Sequence, residues 1–143
     1  MVATLTSLAD QILDQLETEE TVRIEASLGE YWDALADLAE EPILLQYIDH
    51  HVCAEMSQAT DSHETIILNI GALLRDTFHN QPDIRVMGSS KAVYVPECLL
   101  ATNPDVLVMK GDSVLFPRKR RAAGIVNPYI LVEVRSDSTA LVD

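Results

Sequence analysis

The stretch Tyr129-Ile130-Leu131-Val132-Glu133-Val134-Arg135 decides the fold, because it is an apolar run with a single acid inside it. Such a run is typical of a strand buried on both faces of a sheet. A carboxylate buried there without a partner would be severely unfavourable, so we expect the charge of Glu133 to be compensated. A second apolar run, Pro104-Asp105-Val106-Leu107-Val108-Met109, begins with an acid 28 residues upstream. Two neighbouring strands could therefore each offer one carboxylate to a shared cation.

This pair of acids predicts a magnesium site. Proteins hold Mg²⁺ with one or two carboxylates, while water and phosphate oxygens complete the octahedron. Asp105, Glu133 and the backbone carbonyl of Val134 would be the ligands, and Mn²⁺ could replace Mg²⁺. Arg135 would stabilise charge on a bound phosphate, but arginine stays protonated and cannot deprotonate the attacking water. The structural alternative is that Glu133 pairs with Arg135 or another base, and that Asp105 only caps an Asn-Pro-Asp turn.

The patterns around these runs predict a mixed α/β (α+β) fold. Apolar residues recur at helical spacing in residues 5–16 and 30–41. Asp61 and Glu64 resemble a capping box that opens a third helix, whose apolar face would contain Ile66, Ile67, Ile70, Leu73, Leu74 and Phe78. Short strands are predicted around 47–48 and 52–53 and at 84–87, 92–95, 106–109, 114–116 and 129–135. Helices thus come first and a sheet follows, with one long helix packed against it.

Length and composition predict a single soluble domain. The chain has 143 residues, of which 48% are hydrophobic, which is enough for one core. It lacks both an apolar run of the roughly 20 residues that span a bilayer and the basic flank of a signal peptide. Cys53 and Cys98 form neither a paired metal spacing nor a disulfide framework, which agrees with a reducing compartment. We therefore expect a cytoplasmic protein without a membrane partner.

The charge is uneven along the chain. The net charge is −13, but residues 1–71 hold 15 acids and one base, and residues 72–143 hold 8 acids and 9 bases, giving −14 and +1. An acidic protein repels nucleic acid at long range. The run Arg118-Lys119-Arg120-Arg121 opposes this trend, and with Lys110 it could contact phosphates, although such a run is more often a solvated loop.

Two segments carry a resemblance to a known family: Asn103-Pro104-Asp105-Val106-Leu107-Val108 and Asn127-Pro128-Tyr129-Ile130-Leu131-Val132-Glu133-Val134-Arg135-Ser136-Asp137-Ser138-Thr139. From about residue 30 to the last residue, the chain resembles the Uma-type restriction-endonuclease family of the PD-(D/E)XK nuclease superfamily. In that family the Pro-Asp pair supplies the first catalytic acid, and the second segment carries the E-x-K position and a Ser-x-Ser-Thr turn. Leu45-Gln46-Tyr47-Ile48-Asp49 is similar to a family strand that usually carries a glutamate, and a histidine is common at the position of His63.

The resemblance implies a restriction-endonuclease-like mixed β-sheet flanked by helices and Mg²⁺-dependent cleavage of DNA. It implies catalytic roles for Asp105, Glu133 and Arg135, with Gln46 and His63 in supporting positions. Residues 1–29 would form an N-terminal helical extension, and residues 30–143 a nuclease-like domain that is short at its C-terminus.

The chain departs from the family pattern at three places. Gln46 replaces the usual carboxylate, Arg135 replaces the lysine, and relatives usually continue past the Ser-Thr turn with a lysine-containing helix and further strands. We therefore expect either a fragment or a natural short form with weak activity. The alternative function is a catalytically inactive binding or interaction module that keeps the fold. A strand edge left open by the absent elements also predicts a homodimer.

Overall fold

The computed structural model describes residues 5–57, 60–117 and 124–135, and the contacts of the chain divide it into two compact units. Unit 1 comprises Met1–Ser57 and Pro96–Thr102, and unit 2 comprises Gln58–Val95 and Asn103–Asp143. The described part of unit 1 contains α1 (Leu8–Leu16), β1 (Thr21–Glu25), α2 (Leu28–Asp37), β2 (Ile43–Ile48), β3 (His51–Met56) and β6 (Leu100–Thr102). That of unit 2 contains α3 (Asp61–Thr77), β4 (Ile84–Met87), β5 (Val93–Val95), β7 (Val106–Lys110) and β8 (Ile130–Val132). The predicted mixed α+β class is confirmed, whereas the predicted boundary between residues 29 and 30 stays a prediction.

In unit 1, two helices cover one face of an antiparallel sheet. Strands β1, β3, β2 and β6 lie side by side in that order. Alternate residues of β2 and β3 are buried, namely Leu45, Tyr47, Val52 and Ala54, as expected for a sheet with one covered face. Helices α1 and α2 contact this sheet, and the ring of Tyr31 packs against Trp32 and Tyr47 with centroids 4.9 and 5.7 Å away.

A two-residue turn joins β2 to β3. Asp49 and His50 both have positive φ angles, 45° and 63°, and Ile48 pairs with His51. Two central residues in the left-handed region define a type I′ hairpin turn, in which the sequences Asn-Gly and Asp-Gly are preferred. Aspartate and histidine adopt this region more easily than most residues do, so Asp-His can replace that signal. The two strands predicted near residues 47–48 and 52–53 are therefore confirmed, and they are longer than predicted.

The N-cap of helix α3 lies one residue before Asp61, which the capping-box pattern predicts as the cap. Thr60 is the N-cap, since its Oγ1 accepts a hydrogen bond from the backbone N–H of His63 at 3.2 Å. Asp61 is the first helical residue and not the cap, although an acid in the first turn still favours the positive end of the helix. The predicted apolar face is partly buried at Ile67, Ile70, Leu74 and Phe78 but exposed at Ile66 and Leu73.

The core of unit 2 is centred on β7. This strand lies between β4 and β8, with antiparallel pairing on both sides, and its residues 106–109 are almost fully buried. Its side chains Leu107 and Met109 pack with Val93 and Ile125. The predicted strands at 84–87, 92–95 and 106–109 are thus confirmed, whereas residues 114–116 contribute only an isolated bridge between Leu115 and Ile125.

Strand β8 corrects the prediction made for residues 129–135. Only Ile130–Val132 form a strand, and all three residues are partly buried. In the described part of this sheet β8 is an outer strand, with β7 on one side. The expectation of a seven-residue strand buried on both faces is therefore wrong. An apolar composition indicates a strand, but it gives neither the length of that strand nor its position in the sheet.

Tyr31 gives a prediction about stability at high pH. Its side chain is 0% exposed, and its hydroxyl has no hydrogen-bond partner among the described residues. Burial raises the pKa of Tyr31 above its ordinary value, so stability is complete below the unfolded pKa of about 10 and is lost as the pH rises further. Tyr31→Phe should leave the free energy of unfolding at pH 7 unchanged or raise it by up to about 1 kcal/mol, since it removes an unpaired buried hydroxyl.

Urea unfolding at pH 7 and above pH 10 would measure both effects. The matched control is Tyr129→Phe, because Tyr129 is exposed. A Tyr31→Phe variant that loses as much stability above pH 10 as the wild type would contradict the prediction.

Candidate functional site

The pairing of β7 with β8 brings the two predicted acids to one end of the sheet. Val106 pairs with Val132, and Leu107 with Leu131. The pairing ends there, and Asp105 and Glu133 are the next residues beyond it, Asp105 directly before β7 and Glu133 directly after β8. The sequence reasoning named both acids, and the strand pairing brings their backbones to the same end of the sheet.

Asp105 lies in a small polar cluster with His63 and Val134. Its carboxylate is 18% exposed, and Oδ2 accepts a hydrogen bond from the backbone N–H of Val134 at 2.7 Å. Nε2 of His63 lies 3.6 Å from the same oxygen and 2.9 Å from the carbonyl oxygen of Val134. Since a carbonyl oxygen only accepts, Nε2 must carry the proton and donate. Residues from the start of α3 and from both strands therefore meet at this point.

Glu133 is exposed, whereas the sequence predicted a buried carboxylate. It follows β8, and its side chain is exposed to solvent. Water can therefore solvate its charge, so the expected penalty of an enclosed carboxylate does not arise. The case for Glu133 rests instead on its position directly after β8, at the end of the sheet where Asp105 precedes β7.

The oxygen donors at this end of the sheet suit a hard divalent cation. Among the described residues, no group of three or more His, Cys, Asp or Glu side chains could hold a metal ion. Mg²⁺ does not need three side-chain ligands, since one or two carboxylates and several waters complete its coordination. Asp105 and Glu133 offer carboxylates, and the Val134 carbonyl has a second lone pair beside the one that His63 engages. These residues therefore fit the predicted ion.

Gln46, predicted as a supporting residue, lies on β2 in unit 1. Its Nε2 donates a hydrogen bond to Oγ1 of Thr102 at 3.1 Å, and Thr102 is nearly fully buried. The amide therefore satisfies a buried hydroxyl, a task for which a neutral side chain is well suited. Its supporting role at the site stays a prediction.

The predicted phosphate-contacting residues lie apart from Asp105 or outside the described residues. Lys110 is at the opposite end of β7, five residues from Asp105, or about 16 Å along an extended strand. Its Nζ lies 5.7 Å from the centre of the Tyr129 ring, which is half exposed. Arg135 follows Val134 and is exposed. Arg118, Lys119, Arg120 and Arg121 fall in the segment that the structure does not describe.

Sequence reasoning underestimated His63 and did not consider Tyr129. His63 was named only as a supporting residue, because a histidine is common at this helix start in the family that the chain resembles, yet its ring lies close to both Asp105 and Val134. The Thr60 cap is a local signal that fixes His63 in the first helical turn. An aromatic residue directly after Pro128, ahead of a strand, could have suggested Tyr129 as a surface contact.

The mixed α+β fold agrees with a restriction-endonuclease-like protein. A family model, Uma2, described as "Putative restriction endonuclease", matches residues 14–143, which is 130 of the 143 residues. The chain therefore belongs to the Uma2 family, and the suspected family resemblance is confirmed. Comparisons with curated proteins and with solved structures give no significant match. Among the described residues, no helix is both long enough and apolar enough to cross a membrane.

Proposed function

We propose that the protein is a metal-dependent endonuclease that hydrolyses phosphodiester bonds in DNA at the end of the β7–β8 pair. The observation that carries the proposal is the β7–β8 pairing, which brings Asp105 and Glu133 to the same end of the sheet in a chain that belongs to the Uma2 family. Mg²⁺ is the proposed cofactor, and Mn²⁺ is the expected substitute. Asp105, Glu133 and the Val134 carbonyl would hold the ion.

Asp105 and Arg135 have different proposed roles in the reaction. A bound Mg²⁺ supplies a Lewis acid for the phosphate and a water of lowered pKa. Asp105 is oriented by the Val134 N–H, which donates a hydrogen bond to its Oδ2 at 2.7 Å. Arg135 follows Glu133 by two residues and is proposed to stabilise charge on the scissile phosphate. It cannot take a proton from water, so no side-chain base is assigned to this position.

The proposal is tested by nicking of supercoiled plasmid with Mg²⁺, with Mn²⁺ and with a chelator. Titration calorimetry with Mn²⁺ in the absence of DNA provides a second measurement that does not depend on activity. We expect nicking that needs the ion, together with ion binding that weakens when Asp105 or Glu133 is neutralised. Absence of both in folded protein would contradict the proposal.

DNA as the substrate is further supported by the charge of the second half of the chain. Residues 72–143 carry a net charge of +1 against −14 for residues 1–71, so a polyanion would be repelled least there. We propose Lys110 and the run Arg118-Lys119-Arg120-Arg121 as contacts to phosphates. A cytoplasmic location and a homodimer are proposed with this function. Analytical ultracentrifugation over a range of protein concentrations would test the dimer.

Lys110 allows a prediction about DNA binding. Lys110→Gln should weaken binding to a duplex and reduce the slope of log K against log salt concentration by about 1, because one phosphate contact is lost. Fluorescence anisotropy with labelled duplex, chelator and increasing salt would measure the slope. The matched control is Lys91→Gln, which removes the same charge from an exposed lysine elsewhere in unit 2. Equal slopes for the wild type and the Lys110 variant would exclude Lys110 as a phosphate contact.

A catalytically inactive binding module is the second candidate. The observation that favours it is that Arg135 stands at the lysine position, while the Gln46 amide is engaged with Thr102 in place of the usual acid. Such a module would show no ion-dependent nicking, and its DNA affinity would be unchanged by Asp105→Asn. The nuclease would lose nicking in that variant.

A further inference from the structure

The peptide segment at Val134 is held by side chains at both its N–H and its C=O. Its N–H donates to Oδ2 of Asp105 at 2.7 Å, and its carbonyl oxygen accepts from Nε2 of His63 at 2.9 Å. Strand β8 ends at Val132, so these two bonds replace ladder bonds at a residue beyond the strand. The position of Val134 in turn fixes the backbone of its neighbours Glu133 and Arg135.

His63 is well placed to hold this segment. Its backbone N–H is fixed by the Thr60 cap, and its ring is only 17% exposed. Nε2 carries the proton that it donates to Val134, so in the neutral ring Nδ1 is bare. Nδ1 is buried and has no hydrogen-bond partner among the described residues, and it lies 3.7 Å from Oε1 of Glu64. The only directed hydrogen bond that the structure gives this ring is therefore the one to Val134.

His63 also lies close to the carboxylate of Asp105. Its Nε2 lies 3.6 Å from Oδ2, which is beyond hydrogen-bond length but close enough for electrostatic attraction between the polar N–H and the carboxylate. Asp105 thus meets the Val134 N–H directly and His63 from a second side. Removing the His63 side chain would leave the Val134 carbonyl without this hydrogen bond and would remove the polar N–H beside the Asp105 carboxylate.

We infer that His63 is a positioning residue that fixes the Val134 peptide, and through it the Asp105 carboxylate, in the geometry that receives a divalent cation. The inference rests on the proposed function for its catalytic consequence, whereas the structural part stands on the hydrogen bonds alone. Outer-shell partners of this kind typically cost about 10–100-fold in metal affinity or activity when removed. His63 need not touch the ion or the DNA.

Three variants test the inference in the full chain. His63→Ala removes the donor, and His63→Gln keeps an N–H at a similar reach. His79→Ala is the matched control, because His79 is exposed just beyond the other end of α3, and its ring hydrogen-bonds to the nearby backbone oxygen of Asp76 at 2.7 Å. Circular dichroism would confirm that each variant is folded.

The first measurement needs no metal and no DNA. Hydrogen exchange and the ¹⁵N shift of the Val134 amide should report a looser peptide in His63→Ala, with protection reduced about tenfold or more. His63→Gln should retain most of the protection, and His79→Ala should retain all of it. Long-range ¹H–¹⁵N spectra of the wild-type ring should show the Nε2–H tautomer. An unchanged Val134 amide in His63→Ala, or an Nδ1–H tautomer in the wild type, would overturn the inference.

The second measurement concerns the ion and the reaction. His63→Ala should weaken Mn²⁺ binding about 10-fold or more and lower kcat for nicking with little change in the KM for DNA. His63→Gln should rescue most of both. If wild-type protein neither binds Mn²⁺ nor nicks DNA, the proposed function fails, yet the Val134 amide still decides whether His63 positions the peptide. If the wild type does both and His63→Ala matches it, the positioning role fails and the proposed function stands.

Discussion

Replacing Asp105 with asparagine should reduce Mg²⁺-dependent nicking of plasmid DNA by at least about a hundredfold, because an ion that supplies several kcal/mol of stabilisation would lose one of its carboxylate ligands. Asparagine has nearly the shape of aspartate and keeps one oxygen to accept the Val134 N–H. The fold should therefore survive, and the lost charge should account for the lost rate. Nicking rates in single turnover, with Mn²⁺ affinity from calorimetry, would measure the effect.

The matched control for this variant is Asp112→Asn. Asp112 follows β7 at the end opposite to Asp105 and is exposed, so the same change in charge should leave nicking within about twofold. Nicking by Asp105→Asn at the wild-type rate would remove Asp105 from the site.

Glu133→Gln should lose activity like Asp105→Asn, although its effect on stability should be small. An enclosed Glu133 would have predicted a variant that is more stable than the wild type in the absence of metal. The side chain is exposed, so we expect a change in the free energy of unfolding within about 0.5 kcal/mol. Urea unfolding in chelator would measure it, and a gain well above that value would show that the two carboxylates repel each other in the folded protein.

The sequence predicted the elements whose signal is local. The runs at Ile84–Met87 and Val106–Lys110 combine apolar and β-branched residues, and both form strands. Strands β1 and β6 were missed, because the alternation of polar and apolar residues in Thr21–Glu25 covers only five residues and Leu100–Thr102 has only three. Both are strands because β3 and β2 lie beside them, which is information that a local pattern does not contain.

The candidate site was predictable in its residues but not in its contacts. Two acids at strand ends are visible in the sequence, whereas their meeting at one end of the sheet depends on how β7 and β8 pair. The bond from His63 to Val134 joins residues 71 positions apart. Burial was also misjudged, since the apolar run at 129–135 indicates a strand but not whether that strand lies in the middle of a sheet.

Truncating Leu107 should give the largest loss of stability among the changes considered. Leu107 is 0% exposed in the central strand of unit 2, where it packs with Val93, Met109 and Ile125. Leu107→Ala should lower the free energy of unfolding by about 2–5 kcal/mol, because it removes buried methyl groups and leaves a cavity that the sheet cannot close. A domain of this size has about 5–15 kcal/mol in total, so the variant should unfold at markedly lower urea concentration.

The matched control for Leu107→Ala is Leu68→Ala in α3, where the same chemical change occurs at a side chain that is 72% exposed. It should change the free energy of unfolding by no more than about 0.5 kcal/mol, since little apolar surface is lost from the core. Urea unfolding followed by circular dichroism would compare the two variants under the same conditions. Because Asp105 directly precedes β7 and Leu107 is the second residue of that strand, Leu107→Ala should also weaken nicking at temperatures where it is still folded. Equal stability of the two variants would mean that β7 is not the central strand of unit 2, and the strand pairing that brings Asp105 and Glu133 to one end of the sheet would then lose its support.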